Sequence, residues 1–152
     1  MVIFRRAKKE DFDRIKEIVT TCSLCGCGLE KWFSNFMVIE EDEKVIGTGG
    51  LEIYGEYAVL RSVAVLPEFR NQGLGDGLVR SLINLADRLG VKTIYLFTEK
   101  AMGFFEKIGF KKTSREEIQE KCPNTDQLSG CPLNATPMKL DINEFFSNIK
   151  CK

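Results

Sequence analysis

Two hydrophobic periods alternate along the chain. Residues 2–5 form a short strand-like run, after which Phe12, Ile15, Ile18, Val19 and Cys22 recur at helical spacing and predict a helix over residues 9–22. Residues 22–30 are rich in glycine and cysteine and read as a loop. Strands are predicted over residues 36–40 and 44–54, on either side of the acidic turn Glu41-Asp42-Glu43. Gly55-Glu56 then makes a tight hairpin into a strand over residues 57–66. Pro67 ends that strand, because proline supplies no N–H to a ladder. Beyond Gly75, the residues Leu78, Val79, Leu82, Ile83, Leu85, Ala86 and Leu89 lie on one broad helical face, with Gly90 as the residue that stops the helix.

The second half carries a short buried strand over residues 93–98 and a short helix over residues 101–108 closed by Gly109. Another strand begins at residues 110–113. Residues 114–137 are polar, hold all but one of the prolines, and are expected to be mostly loop with at most a turn of helix. An edge strand over residues 138–140 and a terminal helix over residues 142–150 follow, with Phe145, Phe146 and Ile149 expected to pack on the chain's own core. The order is strand, helix, three antiparallel-capable strands, helix, strand, helix, strand. That predicts a mixed α/β sheet in a single domain over residues 1–152.

Charge and composition narrow the chemistry. With 22 basic and 22 acidic residues, the chain lacks the basic footprint of a nucleic-acid or anionic-membrane partner. No apolar run approaches the roughly 18 residues that span a bilayer, and the start does not read as a signal peptide, so a cytoplasmic location is expected. There is no histidine, so proton transfer falls to a carboxylate, tyrosine, cysteine, water or the substrate. The six cysteines stand at 22, 25, 27, 122, 131 and 151. Cys22, Cys25 and Cys27 are one ligand short of a tetrahedral zinc site; Cys122 or Cys131 could complete it, but thiols in a loop are the preferred reading and no metal is expected.

The stretch Arg70-Asn71-Gln72-Gly73-Leu74-Gly75 follows a strand and opens a helix. Such a turn leaves backbone N–H groups at the positive end of a helix dipole, where they hold phosphate. The plainer reading is a tight strand-to-helix connection. A dinucleotide fingerprint fits poorly, because the third glycine, Gly77, comes one position early, and no Gly-Lys-Ser/Thr follows to make a Walker loop.

The string from Leu60 to Gly75 resembles motif A of the GNAT acetyltransferase superfamily, and Ala101 to Phe110 resembles its second signature. The resemblance implies the GNAT acyltransferase fold, a central, mostly antiparallel twisted sheet flanked by helices, with acetyl-CoA as cosubstrate. It implies that Arg70 and the amides of Asn71, Gln72, Gly73, Leu74, Gly75 and Asp76 hold the CoA pyrophosphate. Main-chain groups of Val63, Ala64 and Val65 would pair with the pantetheine arm, one amide facing the thioester oxygen. Phe105 stands at the cofactor position where many members carry a tyrosine acid, which puts a phenolic proton donor there in doubt.

Further strings, Gly50-Leu51-Glu52, Leu60-Arg61-Ser62, Arg115 to Ile118, Cys131 to Ala135 and Met138, resemble the amino-acid N-acetyltransferase branch. That branch includes N-acetylglutamate synthase-type proteins and enzymes of arsenic-resistance operons, which acetylate the glutamate mimic arsinothricin. The hairpin at residues 55–56 would set Glu52 opposite Val59 and diagonal to Arg61 on one sheet face. Glu52 is then the candidate base, acting through water, and Arg61 the candidate for a substrate carboxylate; the plain alternative is a cross-strand ion pair. Ser62 either touches substrate or is polar filler. The expected partner is a small-molecule amine, with a homodimer left open. The alternatives are a GNAT enzyme for a protein N-terminus, polyamine or antibiotic, and a non-catalytic acetyl-CoA or metal sensor.

Overall fold

The computed structural model describes residues 1–150; Cys151 and the side chain of Ile149 lie outside what is described. Seven strands follow one another in the order β1-β2-β3-β4-β5-β7-β6, flanked by helices, which makes the fold mixed α/β. The strands and helices are β1 (Val2–Arg6), α1 (Phe12–Thr21), α2 (Leu29–Trp32), β2 (Phe36–Glu41), β3 (Lys44–Tyr54), β4 (Tyr57–Val65) and α3 (Leu74–Arg88). They continue as β5 (Thr93–Thr98), α4 (Met102–Ile108), β6 (Lys111–Lys112), α5 (Arg115–Lys121), α6 (Gln127–Gly130), β7 (Thr136–Asp141) and α7 (Ile142–Lys150). Every registered pair is antiparallel except β4 with β5. The chain divides into two compact units, Met1–Leu51 with Arg61–Leu82, and Glu52–Leu60 with the chain from Ile83 onward.

In the first unit, α1 turns Ile15, Ile18 and Val19 inward, and these pack with Leu29, Phe36, Val38, Val45 and Ala64. The helical spacing of those three residues is what makes the buried face. A 3-10 turn over Lys9–Asp11 precedes α1, so the helix starts later than residue 9. The buried Asp11 accepts from Arg5 at 2.7 Å, and this hydrogen bond holds its carboxyl below the usual carboxylate range. Two glycines are there for close approach. Gly50 pairs directly with Phe36, and a Cβ on it would stand 2.1 Å from the Phe36 ring. A Cβ on Gly77, on the inner face of α3, would stand 2.6 Å from Phe4. The glycine that came too early for a dinucleotide fingerprint is therefore a packing residue.

In the second unit, β5 pairs with β7 from Thr93↔Asp141 to Thr98↔Thr136, and with β4 in parallel from Tyr57↔Thr93 to Val59↔Tyr95. Val59, Tyr95, Ile118 and Cys122 form the core, with Tyr54, Tyr57, Phe97 and Leu128 against it. Two expectations are corrected here. Residues 114–137 hold two helices: Ser114 caps α5 by accepting from the Glu117 N–H at 3.1 Å, and Ile118 is fully buried. The Ser-x-x-Glu spacing is a helix-start signal that the surrounding prolines and polar residues obscure. The strand at residues 138–140 is longer, β7, and is not an edge. The two-residue β6 pairs outside it, with Lys112 opposite Met138. Phe145 of α7 is buried within this unit, near Gly109.

Replacing Gly50 by alanine should lower stability by about 1–3 kcal/mol, the usual cost of overpacking a filled site. Urea unfolding monitored by circular dichroism should show the lower midpoint; an unchanged midpoint would mean that the Phe36 ring moves aside at no cost.

Candidate functional site

β4 does not run straight to its end. Ser62, 8% exposed, has a left-handed backbone with φ of +57°, uncommon for any residue but glycine. After it come the half-buried Val63, the buried Ala64 and the half-buried Val65. The Leu66 N–H bonds the Ile46 carbonyl at 2.9 Å, a 3-10 turn over Pro67–Phe69 follows, and Arg70 is extended. The chain then turns through two left-handed residues, Asn71 at φ +65° and Gly73 at +77°, before α3 begins at Leu74. The Gly77 N–H bonds the Gly73 carbonyl at 3.2 Å, so the amides of Leu74, Gly75 and Asp76 precede the first N–H that this helical bond uses. Asn71, Gln72 and Gly73 are exposed, and Gly75 and Asp76 half-exposed. Backbone donors at a turn of this kind, ahead of a helix, suit an anion. Asp76, the one acidic group in the first turn, is paired with Arg80 at 2.9 Å, which offsets its charge beside these donors. Arg70 folds back, Nε to the Val65 carbonyl at 2.9 Å and a terminal nitrogen to Cys22 Sγ at 3.6 Å, clamping the strand end to the start of the turn.

Arg61 belongs to the same unit and is 2% exposed. Its Nε donates to Ser62 Oγ at 3.2 Å and a terminal nitrogen to the Cys25 carbonyl at 3.3 Å. A guanidinium cannot shed its charge, so burial obliges it to collect acceptors. The cysteine loop is thus tied to Arg61 through its main chain and to Arg70 through Cys22. Among the described residues, no group of three or more cysteine, aspartate or glutamate side chains is gathered for a metal ion.

Glu52 belongs to the second unit and is fully buried. Its Oε1 accepts from Tyr54 OH at 2.6 Å and from Thr125 Oγ1 at 2.6 Å. Thr125 Oγ1 in turn accepts from the Gln127 N–H at 3.2 Å. Hydrogen bonds to a charged group contribute about 1.5–3 kcal/mol each, which offsets part of the cost of burying a carboxylate. Burial first, then the hydrogen bond to Glu52, pushes the Tyr54 phenol far above its ordinary value, so Tyr54 remains a donor. Burial, and next the charge of Glu52, pushes the Cys122 thiol up to about 12. Tyr95 is committed in the same way: its OH donates to Glu117 at 2.8 Å, and burial and that bond raise it. Phe105 is 6% exposed and packs edge-on against Phe104 and Phe110, an apolar position with no proton to give.

Of the residues around Glu52, Thr125 is the one that the sequence reading left out; Cys122 entered it only as a possible zinc ligand, and Tyr54 could not be ruled in from spacing. Tyr54 was within reach of it, because residues two apart on a strand share a face. Thr125 was not: 73 positions separate it from Glu52, and its segment reads as loop.

Residues 3–110 match the sequence profile of the family described as the acetyltransferase (GNAT) family. The chain is 32% identical over 139 residues to an uncharacterized N-acetyltransferase of Chlorobaculum tepidum, covering 84% of this chain and 89% of that protein. It is 33% identical over 92 residues to the amino-acid acetyltransferase of Aeromonas salmonicida, 59% of this chain but 21% of that protein. Its fold is similar to that of N-acetylglutamate synthase from Neisseria gonorrhoeae, solved with coenzyme A and N-acetyl-glutamate. There the TM-score is 0.82 at 19% identity, over 93% of this chain and 35% of that one. A Mycobacterium tuberculosis protein solved in complex with CoA matches at a TM-score of 0.75 and 25% identity, over 91% of this chain and 98% of that one. The chain thus spans about a fifth of the Aeromonas enzyme and about a third of the Neisseria synthase.

The buried, high-lying thiol of Cys122 should stay unmodified when the folded protein is treated with iodoacetamide at pH 8, while the half-buried Cys22 and Cys25 react. Peptide mass spectrometry reads the outcome, and early labelling of Cys122 would contradict the packing around it.

Proposed function

Because the chain belongs to the acetyltransferase (GNAT) family, we propose that it transfers an acetyl group from acetyl-CoA to the amine of a small amino acid-like acceptor by direct attack. The observation that carries this reading is the turn from the exposed Asn71 to the head of α3, with Asn71 and Gly73 left-handed, after β4 and its 3-10 turn. Its donors suit a pyrophosphate and leave side-chain identity nearly free. In this reading the amides of Asn71, Gln72, Gly73, Leu74, Gly75 and Asp76 hold the CoA phosphates, and the main chain of Val63 to Val65 receives the pantetheine arm as an added strand. Arg70 acts by clamping Val65.

The acceptor amine must be neutral to attack the thioester. Glu52 takes its proton through water, a role open to a carboxylate in a chain without histidine. Arg61 holds the acceptor's carboxylate, and Ser62, bonded to the Arg61 Nε, sets the angle of the guanidinium. The thiolate of CoA leaves without a phenolic acid at Phe105. An amino-acid acceptor is supported by the amino-acid acetyltransferase relative and by the N-acetyl-glutamate bound to the Neisseria synthase.

The test is thiol release from acetyl-CoA over a panel of amino acids, with glutamate and its phosphinic and arsinic analogues included. Glu52→Gln should lower kcat by about a hundredfold or more, within the range for losing a general base. Arg61→Ala should raise the acceptor KM by about tenfold or more while the acetyl-CoA KM stays put, as loss of a charged contact predicts. Wild-type turnover and affinity in both variants would sink the assignment. Acetyl-CoA binding without turnover on any acceptor would favour a sensor.

A further inference from the structure

We propose that Tyr54 and Thr125 are positioning residues for Glu52, their two hydroxyls holding its buried carboxylate charged and aimed so that it can take the acceptor's proton. The proposal rests on the reading of Glu52 as the base. Both hydroxyls donate to the same oxygen, Oε1, each at 2.6 Å. An ionised carboxylate has no proton to give, so both hydroxyls donate to it, and Thr125 Oγ1 also accepts from the Gln127 N–H. Tyr54 keeps its proton because burial and the neighbouring carboxylate raise its phenol.

The two donors come from different parts of the chain. Tyr54 lies two residues along β3, on the same face as Glu52, and Thr125 lies in the link between α5 and α6. A side chain held from two directions has one orientation. A buried carboxylate without donors tends to take up a proton, and a protonated acid cannot serve as a base. Hydrogen bonds to the charged form favour it, so removing one disfavours the active, ionised carboxylate.

The other titratable groups facing the trio in this unit are Cys122, whose thiol is raised to about 12 and stays neutral, and Asp126, whose charge acts on Tyr54. Cys122 stays neutral while the loss of a hydroxyl is read.

The experiment uses Tyr54→Phe, Thr125→Val and the hydroxyl-retaining Thr125→Ser. The full-length protein carries 13C in the glutamate carboxyls, the Glu52 resonance being assigned by its absence from Glu52→Gln. Thiol release is measured with acetyl-CoA and L-glutamate. Tyr54→Phe and Thr125→Val should each move the Glu52 midpoint and the acid limb of the kcat profile upward by about one pH unit, and lower kcat near neutrality by about tenfold. The acetyl-CoA KM should not change, and Thr125→Ser should behave as wild type. An unmoved Glu52 midpoint in both variants overturns the proposal, with or without turnover on L-glutamate. Equal losses in Thr125→Ser and Thr125→Val make Thr125 a packing residue and overturn its part. Glu52→Gln separates the two claims: full turnover there removes the base reading and the positioning that rests on it. A dead Glu52→Gln beside wild-type Tyr54→Phe and Thr125→Val removes only the positioning.

Discussion

Two charges buried in the strands set conditions that distant segments have to meet. Glu52 is fully buried and Arg61 is 2% exposed. Taking either out of water costs several kcal/mol unless hydrogen bonds replace the lost solvation. Neither finds all of its partners nearby in the sequence. Glu52 draws on Thr125, 73 positions on, and Arg61 on the carbonyl of Cys25, 36 positions back. The link between α5 and α6, and the loop after α1, are therefore more than connections. They supply the atoms that let a carboxylate and a guanidinium stay charged inside the fold, and their order follows from that demand.

The donor turn rests on a different kind of constraint. Its chemistry is backbone chemistry, and what it needs is dihedral angles. Ser62 and Asn71 are left-handed without being glycine, and such residues cost about 1–3 kcal/mol each, so they persist only where the surroundings over-determine them. The surroundings here are specific. The Ser62 hydroxyl is held by the Arg61 Nε, and the entry to the turn is held by Arg70 on the Val65 carbonyl. Strain at the end of β4 and the clamp that retains it lie within nine residues of one another, so the turn carries its own support.

That difference explains what could be read from the sequence and what could not. The strands over residues 44–54 and 57–66, the helix read beyond Gly75 and the turn before it depend on periodicity and on glycines close together, and each was legible, with the helix starting slightly earlier, at Leu74. The second half of the chain was less so. Pro123, Pro132 and Pro137 made residues 114–137 look like loop, although Ser114 and Glu117 carry a helix-start signal and Ile118 is fully buried. The interior position of β7 depends on its two-residue partner, Lys111–Lys112; a strand was read there, but nothing local said that it pairs outside β7. Glu52 stood out as a carboxylate beside a hairpin, but nothing local says that a threonine in a polar stretch will donate to it.

The same asymmetry bears on how protons move in the proposed reaction. Tyr54 and Tyr95 give their hydroxyls to Glu52 and Glu117, and burial raises both phenols, so each is a firm donor and a reluctant acid. Tyr57 lies with its ring stacked on Tyr95, centroids 6.1 Å apart, under the ammonium of Lys121. Phe105 has no proton to offer. A side chain that keeps its proton can stabilise a base but cannot quench a leaving thiolate at a useful rate. Removal of the amine proton and return of a proton to sulfur are then carried by separate agents: an organised carboxylate for the first and solvent for the second. This division suits a thiolate, which leaves readily near neutral pH, and places the demand for organisation on the amine, whose ammonium form cannot attack at all.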